Sequence, residues 1–423
     1  MTSEVKSRGR MKVALALSYF VFAILLNSVG TVILQVITAF AVAETAASQL
    51  EAFKDLTIAF TSFLVAPFLP RVGYKNAILG GLAVAGAACC LMPLYPGFFT
   101  AKMLFLLCGF AFAFIKVSVY SSVALVTEDS RQHAGFMSTV EGLYMVGVLT
   151  GYWIFSYFID SENPASPVWL KVYWVLAALC AVIFVIVATT PFSKGVQDKE
   201  SSFSKDFMTM LRLMAMPLVC IFILSAFLYV LIEQGIGTWL PTFNNKILGL
   251  PSAMSVQATS IFAACLAFGR LSAGPVIARL GWYPVLNVCL VTMGGLVLAT
   301  MPMTHGLEAD PNMTWGSAPL AAFVFPLIGL FMAPIYPALS SVMLSSLPKE
   351  QHSSMTGLIV IFSALGGTTG SLITGYVFGN FSGQTAFYFS LIPITAILVT
   401  LAVFRRLTKA AIERQEDTVP SHD

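Results

Sequence analysis

Twelve long apolar runs, separated by glycine, proline and charged residues, organise this chain, at approximately 12–40, 52–70, 76–98, 102–127, 135–159, 169–191, 213–242, 252–278, 283–303, 317–346, 354–379 and 385–405. A helix needs about 20 apolar residues to cross a bilayer. The runs lack the residue-by-residue alternation of membrane barrel strands, so α-helices are the spanning element. The pattern predicts an all-α membrane protein with 12 transmembrane helices. The longest polar stretch between runs, Ser193 to Arg212, divides them six and six. It sets an N-terminal six-helix bundle over 1–192, a cytoplasmic linker over 193–212, and a C-terminal six-helix bundle with a short tail over 213–423.

Composition agrees with that picture. Of 423 residues 57% are hydrophobic and only 10% charged, and mean hydropathy is +0.84, against roughly a quarter charged in a soluble domain. A soluble enzyme is excluded, and lipid must cover most of the apolar surface. With the N-terminus inside, 17 of the 23 Lys and Arg residues collect on one side of the membrane. The positive-inside rule then puts both termini in the cytoplasm. The net charge of +3 gives no reason to expect nucleic acid. The basic N-terminal segment precedes an apolar run too long for a signal-peptide core, so it reads as the first membrane helix. All seven cysteines lie in apolar runs, where they read as small packing groups rather than a disulfide framework or a metal site. No phosphate-binding loop, HExxH or dinucleotide glycine pattern is present, so no cofactor and no enzymatic activity are expected.

Two internal echoes suggest a duplication. Arg71-Val-Gly73-Tyr follows the second run, and Arg279-Leu-Gly281-Trp follows the eighth. Gln132-His133 with Gly147-xxx-Gly151 recurs as Gln351-His352 with Gly366-xxx-Gly370. Parallel repeats of this kind are the layout of major-facilitator transporters, where two bundles rock about a midplane site. The paired glycines read first as close helix packing. Gly73 and Gly281 read as sharp cytoplasmic turns, and Arg71, Gly73, Lys75 and Arg279 as gating candidates.

Ionisable residues inside a membrane are costly unless paired or wet, about 2.5–3.5 kcal/mol or more each, so they are informative. The runs offer four: Lys116, Glu141, Glu233 and Arg270. Lys116 and Glu141 fall at similar depths and read either as a structural ion pair or as a solute and proton site. Glu233, with no basic residue at its depth in the neighbouring sequence, reads as a proton-coupling acid, as does Glu141. Arg270 reads as a gating residue. Asn27, Ser28, Thr31 and Gln35, with Tyr120, Tyr144, Tyr229, Gln234, Trp239 and Tyr336, complete a candidate cavity in which amides meet hydroxyls and rings meet apolar faces.

The run Phe227-Leu-Tyr229-Val-Leu-Ile-Glu233-Gln-Gly-Ile-Gly237-Thr-Trp-Leu240 resembles the seventh-helix signature of the fucose, galactose and hexose proton symporters of the major facilitator superfamily. Val72-Gly73-Tyr74-Lys75-Asn76 and Phe268-Gly269-Arg270 are similar to that family too. The resemblance implies twelve helices, secondary active uptake and a sugar-like substrate. Relatives carry an Asn-Asp pair in the first helix, where this chain has only neutral polar residues. Some carry an acid in the fourth helix, where this chain places Lys116.

The expectation is a proton-coupled transporter importing a small polar solute, a sugar or sugar derivative, by alternating access. It would work as a monomer in a bacterial inner (plasma) membrane. A cation in the cavity keeps an organic anion or sugar acid as an alternative substrate. Export of amphipathic compounds, and a non-transporting receptor, are the competing classes.

Overall fold

The computed structural model describes residues 2–65, 69–127, 130–192, 203–307, 309–310, 312–348 and 351–416. The first crossing is α1 (Thr2–Asn27) continued by α2 (Val29–Phe40), then the single turn α3 (Glu44–Ala47), α4 (Gln49–Val65) and the short α5 (Leu69–Val72). Four long helices follow: α6 (Tyr74–Leu94), α7 (Phe98–Val126), α8 (Ser130–Phe158) and α9 (Val172–Thr189). The second half holds α10 (Phe203–Met214), α11 (Pro217–Gly237) continued by α12 (Leu240–Lys246), α13 (Ser252–Leu280) and α14 (Trp282–Thr300). Next, α15 (Ala321–Val324), α16 (Ile328–Met332) and α17 (Ile335–Ser345) are one apolar run segmented around Pro326 and Pro334, whose rings cannot sit in an unbroken ladder. The chain ends with α18 (His352–Asn380), α19 (Gly383–Tyr388) and α20 (Leu391–Glu416).

Ten stretches among the described residues are long and apolar enough to cross a membrane. Two of the twelve expected runs fall short of that measure. One is α4, whose 17 described residues include Glu51, Lys54 and Asp55. The other is α8, where Glu141 and several Gly, Tyr and Thr dilute the hydropathy. Both still pack along long helices, α4 on α7 and α8 on α1. The polar stretch 193–212 also differs from a plain linker. Residues 193–202 lie outside the described residues, and 203–212 belong to α10, whose Met210 and Leu213 are buried and which packs on α18.

Glycine explains how the helices of each half approach. A Cβ at Gly147 of α8 would meet the Phe20 carbonyl oxygen at 2.7 Å and Ala23 Cβ at 2.8 Å on α1. In the second half Gly366 and Gly370 of α18 press on the Phe227 and Leu231 carbonyls of α11. The same correspondence joins α7 to α4, through Gly109 against the Lys54 carbonyl, and α16 to α13, through Gly329 against the Phe262 carbonyl. Gly73 and Gly281 have φ of +86° and +80° and stand immediately before α6 and α14. Only glycine adopts that backbone cheaply, so the recurring Arg-x-Gly-aromatic motif makes the same turn twice.

The two halves touch chiefly at the end opposite the termini. There Glu44 pairs with Lys246, Gly379 lies 3.4 Å from Glu44 Cβ if given a Cβ, and the Ser161 hydroxyl accepts from the Ala253 amide at 3.2 Å. Nearer the middle, Gly30 presses on the Thr238 carbonyl and Gln257 donates to Ser156 at 3.2 Å. Farther toward the termini, Arg270 reaches Met145 Sδ at 3.8 Å. Beyond it Ser138, Thr139, Glu141 and Gly142 of α8 are exposed, and Gly135, Gly142 and Gly274 look onto open space. Among the described residues the halves meet at the far end and part toward the terminus end.

Candidate functional site

Between the halves, at mid-length, lies a cavity of about 230 Å³. Its walls come from α1 and α2 (Leu26, Asn27, Val29, Gly30), α4 (Lys54), α8 (Tyr144, Met145, Val148, Tyr152), α11 with Thr238 (Glu233, Gln234, Gly237) and α13 (Phe262, Ala263, Leu266, Arg270). The lining is a duplicated motif. Asn27-Ser-Val-Gly30-Thr31 in the first half matches Gln234-Gly-Ile-Gly237-Thr238 in the second, and the leading helix of each half is interrupted there. Each half therefore offers one amide and one side-chain-free stretch of backbone to the cavity. The Asn27 amide donates to the Tyr144 hydroxyl at 3.1 Å and to the Ala23 carbonyl at 2.9 Å. The Thr238 hydroxyl lies 3.2 Å from the Gln234 side-chain oxygen. Chemistry breaks the symmetry at the facing position, where the paired approaches of Gly109 and Gly329 make Lys54 the counterpart of Phe262.

Of the residues singled out from sequence, Asn27, Tyr144, Glu233, Gln234 and Arg270 line this cavity. Glu233 is not the unpaired acid expected. Arg270, one helix away in space though 37 residues on, reaches its Oε1 at 3.2 Å. Tyr229 is buried beside that pair and stacks on Tyr336 with centroids 5.6 Å apart, and the Tyr336 and Ser363 hydroxyls lie 3.1 Å apart. A second cluster faces the open end from the first half. There Glu141 accepts from Tyr120 and, at 3.4 Å, from Tyr19, whose ring packs 4.9 Å from that of Tyr144. Lys116 makes no salt bridge to Glu141 among the described residues. Its ammonium instead stands 5.9 Å and 6.0 Å from the Phe112 and Tyr120 ring centres, within cation–π range.

Several candidates sit elsewhere. Trp239 is fully buried, and its indole N–H donates at 3.1 Å to both the carbonyl and the hydroxyl of Ser371 in the far-end seal. Gln35 is buried within α2, and its Nε2 has no partner among the described residues. Lys75 caps the end of α9, donating to the Ala188 and Thr190 carbonyls at 2.7 Å and 2.8 Å. Arg279 is exposed in the last turn of α13, and for Arg71 only the backbone, in α5, is described.

Sequence alone singled out four ionisable residues, Lys116, Glu141, Glu233 and Arg270, and passed over those of the second run. The structure brings three more ionisable residues together in the protein interior, all from α4. Glu51 is 0% and Lys54 6% exposed. Lys54 Nζ lies 2.5 Å from Glu51 Oε1 and 3.4 Å from Asp55 Oδ1. The other oxygen of Glu51 accepts from Thr238 across the interface at 3.0 Å. One signal in sequence marked the group: Glu51, Lys54 and Asp55 at spacings of three and four share one helix face.

Comparison with known proteins is consistent with this architecture. The family model described as Major Facilitator Superfamily matches residues 15–325 and 313–421. The chain is 29% identical over 169 residues to MFS transporter asaE of Aspergillus flavus. That match spans 39% of this chain and about a third (35%) of the fungal protein. The crystal structure of the nucleoside transporter NupG superposes with a TM-score of 0.72 at 15% identity, covering 94% of this chain and 99% of that one. The transporter FucP in its outward conformation superposes with a TM-score of 0.61 at 15% identity, covering 94% and 99%. With a family model running over nearly its whole length and a fold shared with these transporters, the chain belongs to the Major Facilitator Superfamily.

Proposed function

We propose that this transporter carries out proton-coupled uptake of a small polar solute, a sugar or sugar derivative, through twelve helices in two bundles with both termini cytoplasmic. The observation that carries the reading is the central cavity, sealed on one side and approached from the other, with an amide from each half and tyrosines around it. Amides and phenols hydrogen-bond sugar hydroxyls, and ring faces suit the apolar faces of a sugar. A cavity at the meeting of two repeats is what rocking bundles require. With the termini inside, the parted end faces the cytoplasm. Glu141 and Glu233 are the proposed proton carriers, with Lys116, Tyr120, Tyr229 and Tyr336 shaping the approach and Arg71, Gly73, Lys75, Arg270 and Arg279 serving the inner gate. A bacterial inner membrane and a working monomer complete the proposal.

An organic anion or sugar acid is the second reading, favoured by Lys116, whose ammonium stands over the Phe112 and Tyr120 rings. Purified protein in liposomes, acid outside, separates the two when offered radiolabelled hexoses, deoxyhexoses, nucleosides and sugar acids. Accumulation of one class that collapses with the pH gradient is expected. Uptake that ignores the gradient for every compound would end the coupling proposal.

A further inference from the structure

Glu51, Lys54 and Asp55 lie where the two halves close on each other. Lys54 faces the central cavity, while both carboxylates face the second half. Glu51 takes the Thr238 hydroxyl at 3.0 Å, and Asp55 Oδ2 lies where a Cβ on Gly367 of α18 would meet it at 2.5 Å. The three charges do not balance. One ammonium faces two neighbouring carboxyl groups, so the group carries a net negative charge when both are ionised and none when one holds a proton.

No other cation compensates among the described groups packed around it. The α8 helix presents Tyr144 and Tyr152, α11 with Thr238 presents Gln234 and the Thr238 hydroxyl, and α18 presents Gly367 and Ser371. Arg270 is held by Glu233. Lys102 of α7 stands over the Phe53 and Phe98 rings, and Glu44 of α3 is bonded to Lys246.

We propose that the Glu51–Lys54–Asp55 triad is the coupling switch of the transport cycle, holding one exchangeable proton when the far end is closed and releasing the need for it when the far end opens. The inference rests on the proton-coupled reading above and adds to it the residues at which protonation and closure are linked. Closure covers the carboxylates with Thr238 and α18 and takes an unbalanced charge out of water, which is costly unless a proton neutralises it. Opening returns them to water, where the charge is tolerated. Protons therefore favour the closed far end by mass action. A proton taken at the far side leaves through the cavity wall at Lys54, toward the terminus end.

The test needs no known substrate. Spin labels on Asn163→Cys and Asn380→Cys, exposed far-end sites on opposite halves, report the far-end distance in the full chain in nanodiscs, with native cysteines replaced. Raising pH from about 6 to about 9 should lengthen that distance in the parent. Asp55→Asn and Glu51→Gln should each hold the short, closed value at every pH. If Asp55→Asn does not elute as the parent does, Glu51→Gln carries the test. Retention of the parent's pH response by these variants overturns the proposal. Loss of the response in Glu141→Gln or Glu233→Gln instead also overturns it, while leaving proton coupling itself intact. A parent distance that ignores pH overturns it too, and liposome uptake then decides separately whether any coupling remains.

Discussion

Lys54 is tightly constrained by its surroundings. It is a buried cation between two acids, on a helix too short and too charged to register as a membrane span. Removing it leaves two carboxylates with no cation, and breaking a buried ion pair by deleting one partner costs about 3–5 kcal/mol. Lys54→Met should therefore lower thermal stability in detergent by a cost of that order. Because the harm comes from excess negative charge, adding Glu51→Gln should recover part of it; no recovery in the double variant would show that packing rather than charge was lost. This group was hard to read from sequence because charges at the edge of an apolar run look like loop residues. Their depth is set by α11 and α18, far along the chain. Asn27 and Gln234 were easier, since an amide in an apolar run stands out. The Glu233–Arg270 pair was not, because the partner lies on another helix.

Among elements, the glycine-lined contacts are what the duplication preserves. The Gly-xxx-Gly echo was legible as spacing and its packing meaning followed from general rules, but Gly109 and Gly329 gave no such signal because each acts alone. Gly147→Val and Gly366→Val each drive a side chain into the backbone of the neighbouring helix. Each should cost about 1–3 kcal/mol in unfolding measurements, as overpacking does elsewhere. Gly142→Ala, on the same helix as Gly147 but facing open space, should be neutral or slightly stabilising. Equal losses at Gly142 and Gly147 would contradict the packing role. The apolar runs located most of the long helices within a few residues, but α1 starts at Thr2 and α20 runs to Glu416, well beyond the runs at 12–40 and 385–405. They could not show that 203–212 folds as α10, whose burial depends on α18.

At the scale of the whole molecule, the seal at the far end is held by polar contacts that can part. Glu44 is one of them. Burial pushes its carboxyl up, but the Lys246 bond and a backbone hydrogen bond outweigh this and hold it below the usual carboxylate range. A carboxylate lowered in this way stabilises closure above its ordinary range near pH 4, and that contribution is lost as pH falls through the lowered value. Between pH 6 and 9 it is constant, so it does not mimic the switch at Asp55. Glu44→Gln should raise the far-open population at neutral pH, visible as a longer component in the Asn163–Asn380 label distance. An unchanged distribution would remove the latch from the seal. That the chain is an all-helical membrane protein was readable from its apolar runs and composition. Which end is shut was not, because it depends on contacts between halves that leave no local trace in sequence.

The proposed alternating access about the central cavity can be tested by locking one place. Thr45 Cγ2 lies 3.5 Å from where a Cβ on Gly379 would stand, so a sulfur at the γ position of residue 45 would stand within reach of a cysteine at 379. In a background without native cysteines, Thr45→Cys with Gly379→Cys should cross-link on oxidation and hold the far end shut. Uptake into liposomes of the solute found by the panel should then cease and return on reduction. Undiminished uptake by the fully cross-linked protein would contradict transport through this cavity by rocking of the two halves.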